Sequence, residues 1–148
     1  MTTFEGTWYY QSFLILPTPS EEEAPPGSAI TARKWAMGTL TVPADTNPEV
    51  NGELSFATGA TLAVKGRVQP ASDLSPAILV ATGEGLTGPA KGSIYRIAGA
   101  FFNDANGQQF IYGSTLGVRG PDTQPDVAGG MPINTVGTFV LSRRVAGK

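Results

Sequence analysis

Eight short runs rich in β-branched and aromatic residues, bounded by glycine, proline, asparagine or aspartate, constrain what this chain can fold into. Runs of this kind are typical of β-strands. We expect little helix, because no window of the sequence shows a sustained period of 3.6 residues. The predicted strands span residues 7–16, 34–42, 52–58, 61–69, 77–83, 92–102, 108–118 and 134–143.

Several of these runs contain an internal glycine, and this favours a curved sheet. Glycine weakens a flat strand, whereas in a closing barrel it permits the bends and close backbone contacts that curvature requires. The sequence therefore predicts an all-β fold with a single domain over residues 1–148. We expect an eight-stranded antiparallel up-and-down β-barrel, with room for packed side chains or one small ligand. A two-sheet sandwich of the same strands is the alternative. The internal glycines are Gly38, Gly66, Gly99, Gly113 and Gly137.

The chain contains neither cysteine nor histidine, and this restricts its chemistry. Disulfides and thiol catalysis are excluded, and so are Ser–His pairs and the usual nitrogen ligand of zinc, copper or iron. A carboxylate site for calcium or magnesium stays open. The acidic residues are scattered, however, apart from the run at residues 21–23. We therefore expect no metal site and no cofactor.

Charge and hydropathy argue against nucleic-acid and membrane partners. Lysine and arginine number 10 against 12 acidic residues, and the resulting net charge of −2 offers no basic surface. The first residues lack the basic and apolar regions of a signal peptide, and no run approaches the length of a membrane helix. We expect a soluble, cytoplasmic protein that binds neither nucleic acid nor membranes.

The long connections are predicted to gather at one end of the barrel. In an up-and-down barrel the first, third, fifth and seventh connections share one end. Three of these four are long, at residues 17–33, 83–91 and 119–133. Long loops at one end of a rigid barrel are typical of a binding mouth with a lid. Tolerated surface insertions are the alternative interpretation.

The opening FEGTW, which ends at Trp8, resembles the Gly-x-Trp signature of the calycin superfamily of lipocalins, fatty-acid-binding proteins and avidins. The resemblance implies that Trp8 plugs the closed end of a barrel and that Arg143 or Arg144 packs across its face. The most extended local similarity is to avidins, through residues 6–11. Avidins carry a ligand-binding asparagine where this chain has Tyr10, so the resemblance does not extend to biotin binding.

A second resemblance is to allene oxide cyclases and dirigent proteins, which are also eight-stranded barrels. It is carried by residues 80–85 (VATGEG), by residues 92–95 (GSIY) and by residues 137–139 (GTF). Those proteins steer reactive intermediates by the shape of a cavity, with few catalytic groups. The resemblance implies that a chain without histidine or cysteine could act in the same way.

Alternation along the strands predicts which side chains face inward, if Trp8 does so as the calycin resemblance implies. Lys65 and Arg67 then point to water on the fourth predicted strand. Arg96 lies outside on the sixth, because the larger apolar side chains occupy the other face. An inward Arg96 would instead hold an anionic head group. The predicted inward set includes Leu16, Leu62, Val64, Val68, Ile97, Phe110, Ser114, Leu116 and Val118.

The candidate ligand-binding residues combine aromatic, aliphatic and hydroxyl-bearing side chains of the predicted inner face. This mixture suits a cavity that buries an apolar body and orients it with a few polar groups. The alternative is a solid core in which the tyrosines are satisfied by their neighbours. The sequence assigns no catalytic residue. The candidates are Tyr10, Ser12, Leu14, Trp35, Met37, Tyr95, Phe101 and Tyr112.

Three functions are compatible with this sequence. The leading one is binding of a small, mostly hydrophobic molecule inside the barrel. The second is a cofactor-free cyclase or isomerase of secondary metabolism that folds a flexible substrate into a reactive conformation. Tyr10 or Tyr112 would then polarise a carbonyl, and Glu84 or Arg96 would assist near the mouth. The third is a structural protein whose apolar outer face packs against copies of itself, which would make it a homo-oligomer.

Overall fold

β-Strands make up most of the computed structural model, which describes residues 4–14, 33–44, 49–128 and 131–144. These residues contain no α-helix, and a single 3-10 turn lies among them at Gly88–Ala90. The strands are β1 (Gly6–Leu14), β2 (Arg33–Val42), β3 (Glu49–Phe56), β4 (Thr61–Gln69), β5 (Ile78–Thr87), β6 (Ile94–Asn103), β7 (Gln108–Arg119), β8 (Val127–Ala128), β9 (Met131–Pro132) and β10 (Val136–Arg144).

Eight of these strands form a closed antiparallel barrel. Their order around the ring is β1-β10-β7-β6-β5-β4-β3-β2, and β1 pairs with β10 to close it. This confirms the predicted all-β, eight-stranded, up-and-down barrel and excludes the two-sheet sandwich. The two short strands β8 and β9 form a separate hairpin in the connection between β7 and β10. The sequence pattern does not reveal this hairpin, because each of its strands has only two residues.

The fifth strand is longer than predicted and continues to Thr87, beyond the predicted end at residue 83. The glycine-rich pattern indicates a turn here, but the backbone of Gly85 continues the ladder. Its N–H donates to the Ser93 carbonyl at 2.8 Å, and its carbonyl accepts from the Gly92 N–H at 3.0 Å. The predicted end of the first strand, residues 15–16, lies outside the described residues.

Trp8 closes one end of the barrel. Its side chain is fully buried, and its Nε1–H donates to the Phe4 carbonyl at 2.9 Å. The guanidinium carbon of Arg143 lies 4.0 Å from the centre of the Trp8 ring, in a cation–π contact. Arg143 also donates to the Glu5 carbonyl and, at 2.8 Å, to the side-chain oxygen of Gln109. One arginine therefore ties the last strand to the residues that lead into the first.

The half of the barrel next to Trp8 is packed solid. Phe101 faces inward, as predicted, but it packs edge-on against Trp8 at 6.2 Å and Phe4 at 5.8 Å between ring centres. Its ring is therefore part of the closed end. Buried aliphatic side chains fill the rest of this half, namely Leu40, Val42, Val50, Val64, Val68, Leu79, Ile111 and Leu141.

The two faces of β7 are reversed relative to the prediction. Ile111 and Thr115 are buried and point inward, whereas Tyr112 is 46% exposed and points to solvent. The alternation along β7 could not decide between the faces, because both carry apolar residues. The inward placement of Tyr112, together with that of Phe110, Ser114, Leu116 and Val118, is therefore corrected by the structure.

Close approach of two backbones explains why the smaller residues of β7 face inward. Gly113 of β7 lies opposite Gly99 of β6 in the ladder. A Cβ on Gly113 would lie 1.8 Å from the Ala98 carbonyl oxygen, and a Cβ on Gly99 would lie 2.9 Å from Cζ of Phe139. Neither position has room for a side chain, because the neighbouring backbone and the Phe139 ring occupy that space.

Replacement of Gly113 should severely weaken the fold. We expect Gly113→Ala to lower the free energy of unfolding by about 3 kcal/mol or more, because the methyl group would overlap a ladder carbonyl. Gly83→Ala is the matched control, since its Cβ would lie 3.4 Å from Cδ2 of Leu62, in ordinary contact. Urea unfolding followed by tryptophan fluorescence measures both stabilities. Equal stabilities of the two variants would contradict the close approach.

Removal of the arginine at the closed end should also destabilise the barrel. We expect Arg143→Ala to cost about 1–3 kcal/mol, because the cation–π contact and the hydrogen bonds of the guanidinium are lost. Arg96, which is exposed on the outer face of β6, provides the control. Arg96→Ala should change stability by less than about 0.5 kcal/mol. The same urea titration compares the two, and a loss no larger for Arg143→Ala than for the control would refute the role of Arg143.

Candidate functional site

A cavity of about 680 Å³ occupies the half of the barrel opposite Trp8. Residues from the connections that join β3 to β4, β5 to β6 and β7 to β10 contribute to its lining. The volume lies within the range of about 300–1,000 Å³ that is usual for small-molecule sites. The end of the barrel that the sequence predicts to be the mouth therefore has an open interior.

Hydroxyl groups line one wall of this cavity. Tyr10 and Ser12 come from β1 and Thr115 comes from β7, and all three are buried. The strands β1 and β7 flank β10 in the ring, so these hydroxyls belong to one continuous wall. Thr115 is a cavity residue absent from the predicted set, because the predicted faces of β7 are reversed.

The strands of the opposite wall contribute apolar side chains, and the connection between β3 and β4 adds Thr58. In a ring of eight strands β3 lies across from β7 and β4 lies across from β10. This side contributes Leu54 and Phe56 from β3 and Leu62 from β4. The alternation of polar and apolar residues along EVNGELSF is the sequence signal for Leu54 and Phe56, but no inner face was predicted for that strand.

No charged side chain lines the cavity among the described residues. Two charged groups predicted to assist near the mouth lie elsewhere. They are Glu84 and Arg96, which are exposed on the outer surface of β5 and β6. The predicted outward direction of Arg96 is thus confirmed. Among the described residues, an ion inside the cavity would meet only neutral polar groups, namely hydroxyls, the Gln124 amide and backbone dipoles, which makes its burial costly.

The phenol of Tyr10 is held in the hydroxyl wall by two aromatic neighbours. Its ring stacks on Phe139, with centres 6.0 Å apart and planes 22° apart, and meets Phe56 edge-on at 6.2 Å. Burial raises the pKa of Tyr10 to about 12, although hydrogen bonding by the Ser12 and Thr115 hydroxyls opposes this shift. Tyr10 therefore stays protonated near neutral pH and is available as a hydrogen-bond donor.

A β-bulge aims Trp35 into the cavity. Ser12 pairs with Ala36 and Phe13 pairs with Lys34, so Trp35 is the extra residue between the two pairs. Ser12 Oγ supports the bulge by accepting a hydrogen bond from the Ala36 N–H at 3.1 Å. Bulges commonly redirect a side chain in this way, and the ring of Trp35 joins the cavity lining.

Met37 and Trp35 do not form the single inward set that the sequence predicts. The bulge separates the two residues, and Met37 follows the regular alternation, which points it outward. Its side chain is 63% exposed. Met37 still borders the cavity, so it lies at the rim where the interior meets solvent.

Tyr95 and Ser93 lie on the side of the cavity formed by β6. The Tyr95 ring meets Trp35 edge-on at 5.9 Å between centres, which joins opposite sides of the cavity. Burial raises the pKa of Tyr95, and the nearby Ser93 hydroxyl opposes this shift. Ser93 Oγ is nevertheless buried without a hydrogen bond of ordinary geometry, so its interaction with Tyr95 is a loose one.

Two of the connections at the mouth are fastened together. Arg119 donates to the Gly92 carbonyl at 3.0 Å and forms an ion pair with Asp122 at 3.2 Å. The Asp122 N–H in turn donates to the Lys91 carbonyl at 2.9 Å. These bonds join the β5–β6 connection to the β7–β10 connection. The expectation of a lid concerned the first and seventh connections, and the first, at residues 17–33, lies almost wholly outside the described residues.

Five of the eight candidate ligand-binding residues line the cavity. They are Tyr10, Ser12, Trp35, Met37 and Tyr95. Phe101 lies in the packed half and Tyr112 lies on the outer surface, whereas the side chain of Leu14 is outside the described part of the structure. On the outer surface Tyr112 stacks on Phe110 at 5.6 Å and contacts Phe102 at 5.8 Å between ring centres.

The raised pKa of Tyr10 predicts a loss of stability at alkaline pH. The unfolded chain releases the phenol proton near the ordinary pKa of about 10, whereas the folded chain keeps it up to about 12. The folded state then binds more protons, so the free energy of unfolding should fall as pH rises across this interval. Urea unfolding at several pH values would measure the fall.

Two variants test this assignment. Tyr10→Phe should reduce the alkaline loss of stability, although not abolish it, because Tyr95 also has a raised pKa. Tyr112→Phe removes a phenol from the outer surface and is the variant with which Tyr10→Phe is compared. An unchanged alkaline slope in Tyr10→Phe would show that Tyr10 is not the buried group.

Comparison with known proteins does not assign the chain to a family. No protein-family model, no curated protein and no solved structure matches it. Within the described ranges, no helix is long and apolar enough to cross a membrane. The same residues contain no cluster of three acidic, histidine or cysteine side chains that could hold a metal ion. The cavity is therefore the feature of the described structure that bears on function.

Proposed function

We propose that this protein binds a small, mostly hydrophobic molecule inside the barrel. The observation that carries the proposal is the cavity of about 680 Å³, whose described lining residues are uncharged. When a ligand displaces water from apolar surface, the free energy of the system falls by roughly 25 cal/mol for each square ångström buried. A cavity with these walls therefore favours an apolar occupant.

The shape of the interior supports binding at a defined place. Trp8 and the aliphatic side chains around it fill the closed half, so a molecule that enters at the mouth comes to rest above them. Tyr10 is held between Phe139 and Phe56 and needs little rearrangement to meet a ligand. A site that is already formed loses less conformational entropy on binding.

A second candidate function is that of a cofactor-free cyclase or isomerase, and the Tyr10 phenol is the observation that favours it. A protonated phenol on the wall of an apolar cavity can polarise a carbonyl, while the walls hold a flexible substrate in one conformation. Tyr112, Glu84 and Arg96 point outward and cannot contact a substrate in the cavity. Catalysis would therefore depend on the hydrogen-bond donors of the cavity and on its shape.

Two further expectations stay predictions. Self-association would place the outer aromatic side chains Phe102 and Tyr112, which are 49% and 46% exposed, against a second copy of the chain. The cytoplasmic location is likewise a prediction.

Binding of a neutral fluorescent probe tests the proposed function. N-phenylnaphthylamine fluoresces strongly only in apolar surroundings, and we expect saturable binding to one site per chain. Ala36→Phe places a ring in the cavity, where Ala36 is a lining residue, and should weaken binding by roughly tenfold or more, since overpacking of a formed site costs about 1–3 kcal/mol.

The control for this variant is Ala98→Phe, which adds the same ring to the exposed outer face of β6. It should bind the probe as tightly as the unaltered protein does. Absence of saturable binding to the folded protein, or equal weakening by the two variants, would refute ligand binding in the cavity. Native mass spectrometry of the purified protein would show any molecule retained from the cell.

A further inference from the structure

The polar groups of the cavity are distributed unevenly. Tyr10, Ser12 and Thr115 bring three hydroxyl groups to the wall formed by β1, β10 and β7. The facing wall, formed by β3 and β4, presents Leu54, Phe56 and Leu62. A ligand that matches both walls must itself have one polar edge and one apolar edge.

Tyr10 is the group best placed to contact the polar edge. Its ring is clamped by Phe139 on its face and by Phe56 at its edge, so the direction of its hydroxyl is set by packing. Burial raises the pKa of Tyr10 to about 12, and the phenol therefore keeps its proton under ordinary conditions. A phenol with its proton can donate one hydrogen bond.

The neighbours of Tyr10 can leave that donor available. The hydroxyls of Ser12 and Thr115 lie near the phenol and oppose the rise of its pKa, whereas Ser12 Oγ accepts a hydrogen bond from the Ala36 N–H and donates one to the Ala36 carbonyl. The proton of Tyr10 can then be directed to a ligand.

The described lining residues carry no charge, and this favours a neutral ligand. A carboxylate in this cavity would lose its hydration and find no arginine or lysine among those residues. A neutral oxygen that accepts one hydrogen bond avoids this penalty. The ketone or ester carbonyl is the simplest group of this kind.

We infer that the cavity selects a neutral molecule that carries a carbonyl or similar oxygen acceptor on one edge, and that this oxygen accepts a hydrogen bond from Tyr10. The rest of the molecule lies against Leu54, Phe56 and Leu62. The inference rests on the proposed function, because it specifies the ligand class of the same cavity.

Three naphthalene derivatives with the same ring position substituted test the inference. Acetylnaphthalene carries a neutral carbonyl, ethylnaphthalene lacks the oxygen, and naphthoate carries a charged carboxylate in its place. Their affinities are measured by displacement of N-phenylnaphthylamine near neutral pH. We expect acetylnaphthalene to bind roughly five- to tenfold more tightly than ethylnaphthalene, the effect of one hydrogen bond. We expect naphthoate to bind the weakest.

Tyr10→Phe identifies the donor. It should remove the preference for acetylnaphthalene over ethylnaphthalene, while affinity for ethylnaphthalene stays within about twofold, since burial of the hydrocarbon does not involve the phenol. The retained affinity for ethylnaphthalene also shows that the variant has folded. Tyr112→Phe is the matched control, because Tyr112 lies on the outer surface, and it should keep the full preference.

The outcomes separate the inference from the proposed function. If the probe binds but acetylnaphthalene and ethylnaphthalene compete equally, the cavity binds apolar molecules without the oxygen contact and the inference is wrong. Tight binding of naphthoate would equally overturn it. A preference that survives in Tyr10→Phe would assign the contact to another donor. If neither the probe nor any of the three compounds binds, the proposed function itself fails.

Discussion

The pairing of β1 with β10 creates the interior on which every other property of this protein depends. Six residue pairs, from Tyr9↔Ser142 to Leu14↔Gly137, join the first strand to the last. Without them the sheet would have two open edges and no enclosed space. Arg143 strengthens the same seam, because it covers Trp8 and donates to the carbonyl of Glu5. The same residue therefore supports both the closure of the barrel and the packing of its closed end.

Residue size divides the closed barrel into two halves. Large rings such as Trp8, Phe101 and Phe139 fill the half near Arg143, and aliphatic side chains complete that core. The other half combines a few rings with small inward residues such as Ser12 and Ala36, which leave the cavity open. Tyr10 lies where the halves meet, and its ring belongs to the core while its hydroxyl belongs to the cavity. The core therefore positions a polar group of the cavity wall.

Sequence patterns were sufficient for the fold and for part of the cavity. The strands and the ring closure follow from runs of β-branched residues and internal glycines, and the inward direction of Tyr10 and Ser12 follows from alternation once the calycin resemblance places Trp8 inside. The β1–β2 bulge could not be foreseen, because it depends on pairing between strands, and it separates Trp35 from Met37. The position of Tyr112 could not be foreseen either, because the close approach at Gly113 is a property of the neighbouring strand.

The first barrel strand begins, and the last one ends, at the closed end of the barrel. Glu5 and Arg143 meet there, whereas the cavity opens at the far side. A domain or tag attached before β1 or after β10 would therefore be joined to the barrel at its closed end, away from the mouth. Attachment to a surface through either end would then turn the mouth toward the solution, which is the orientation that the proposed binding of small molecules requires.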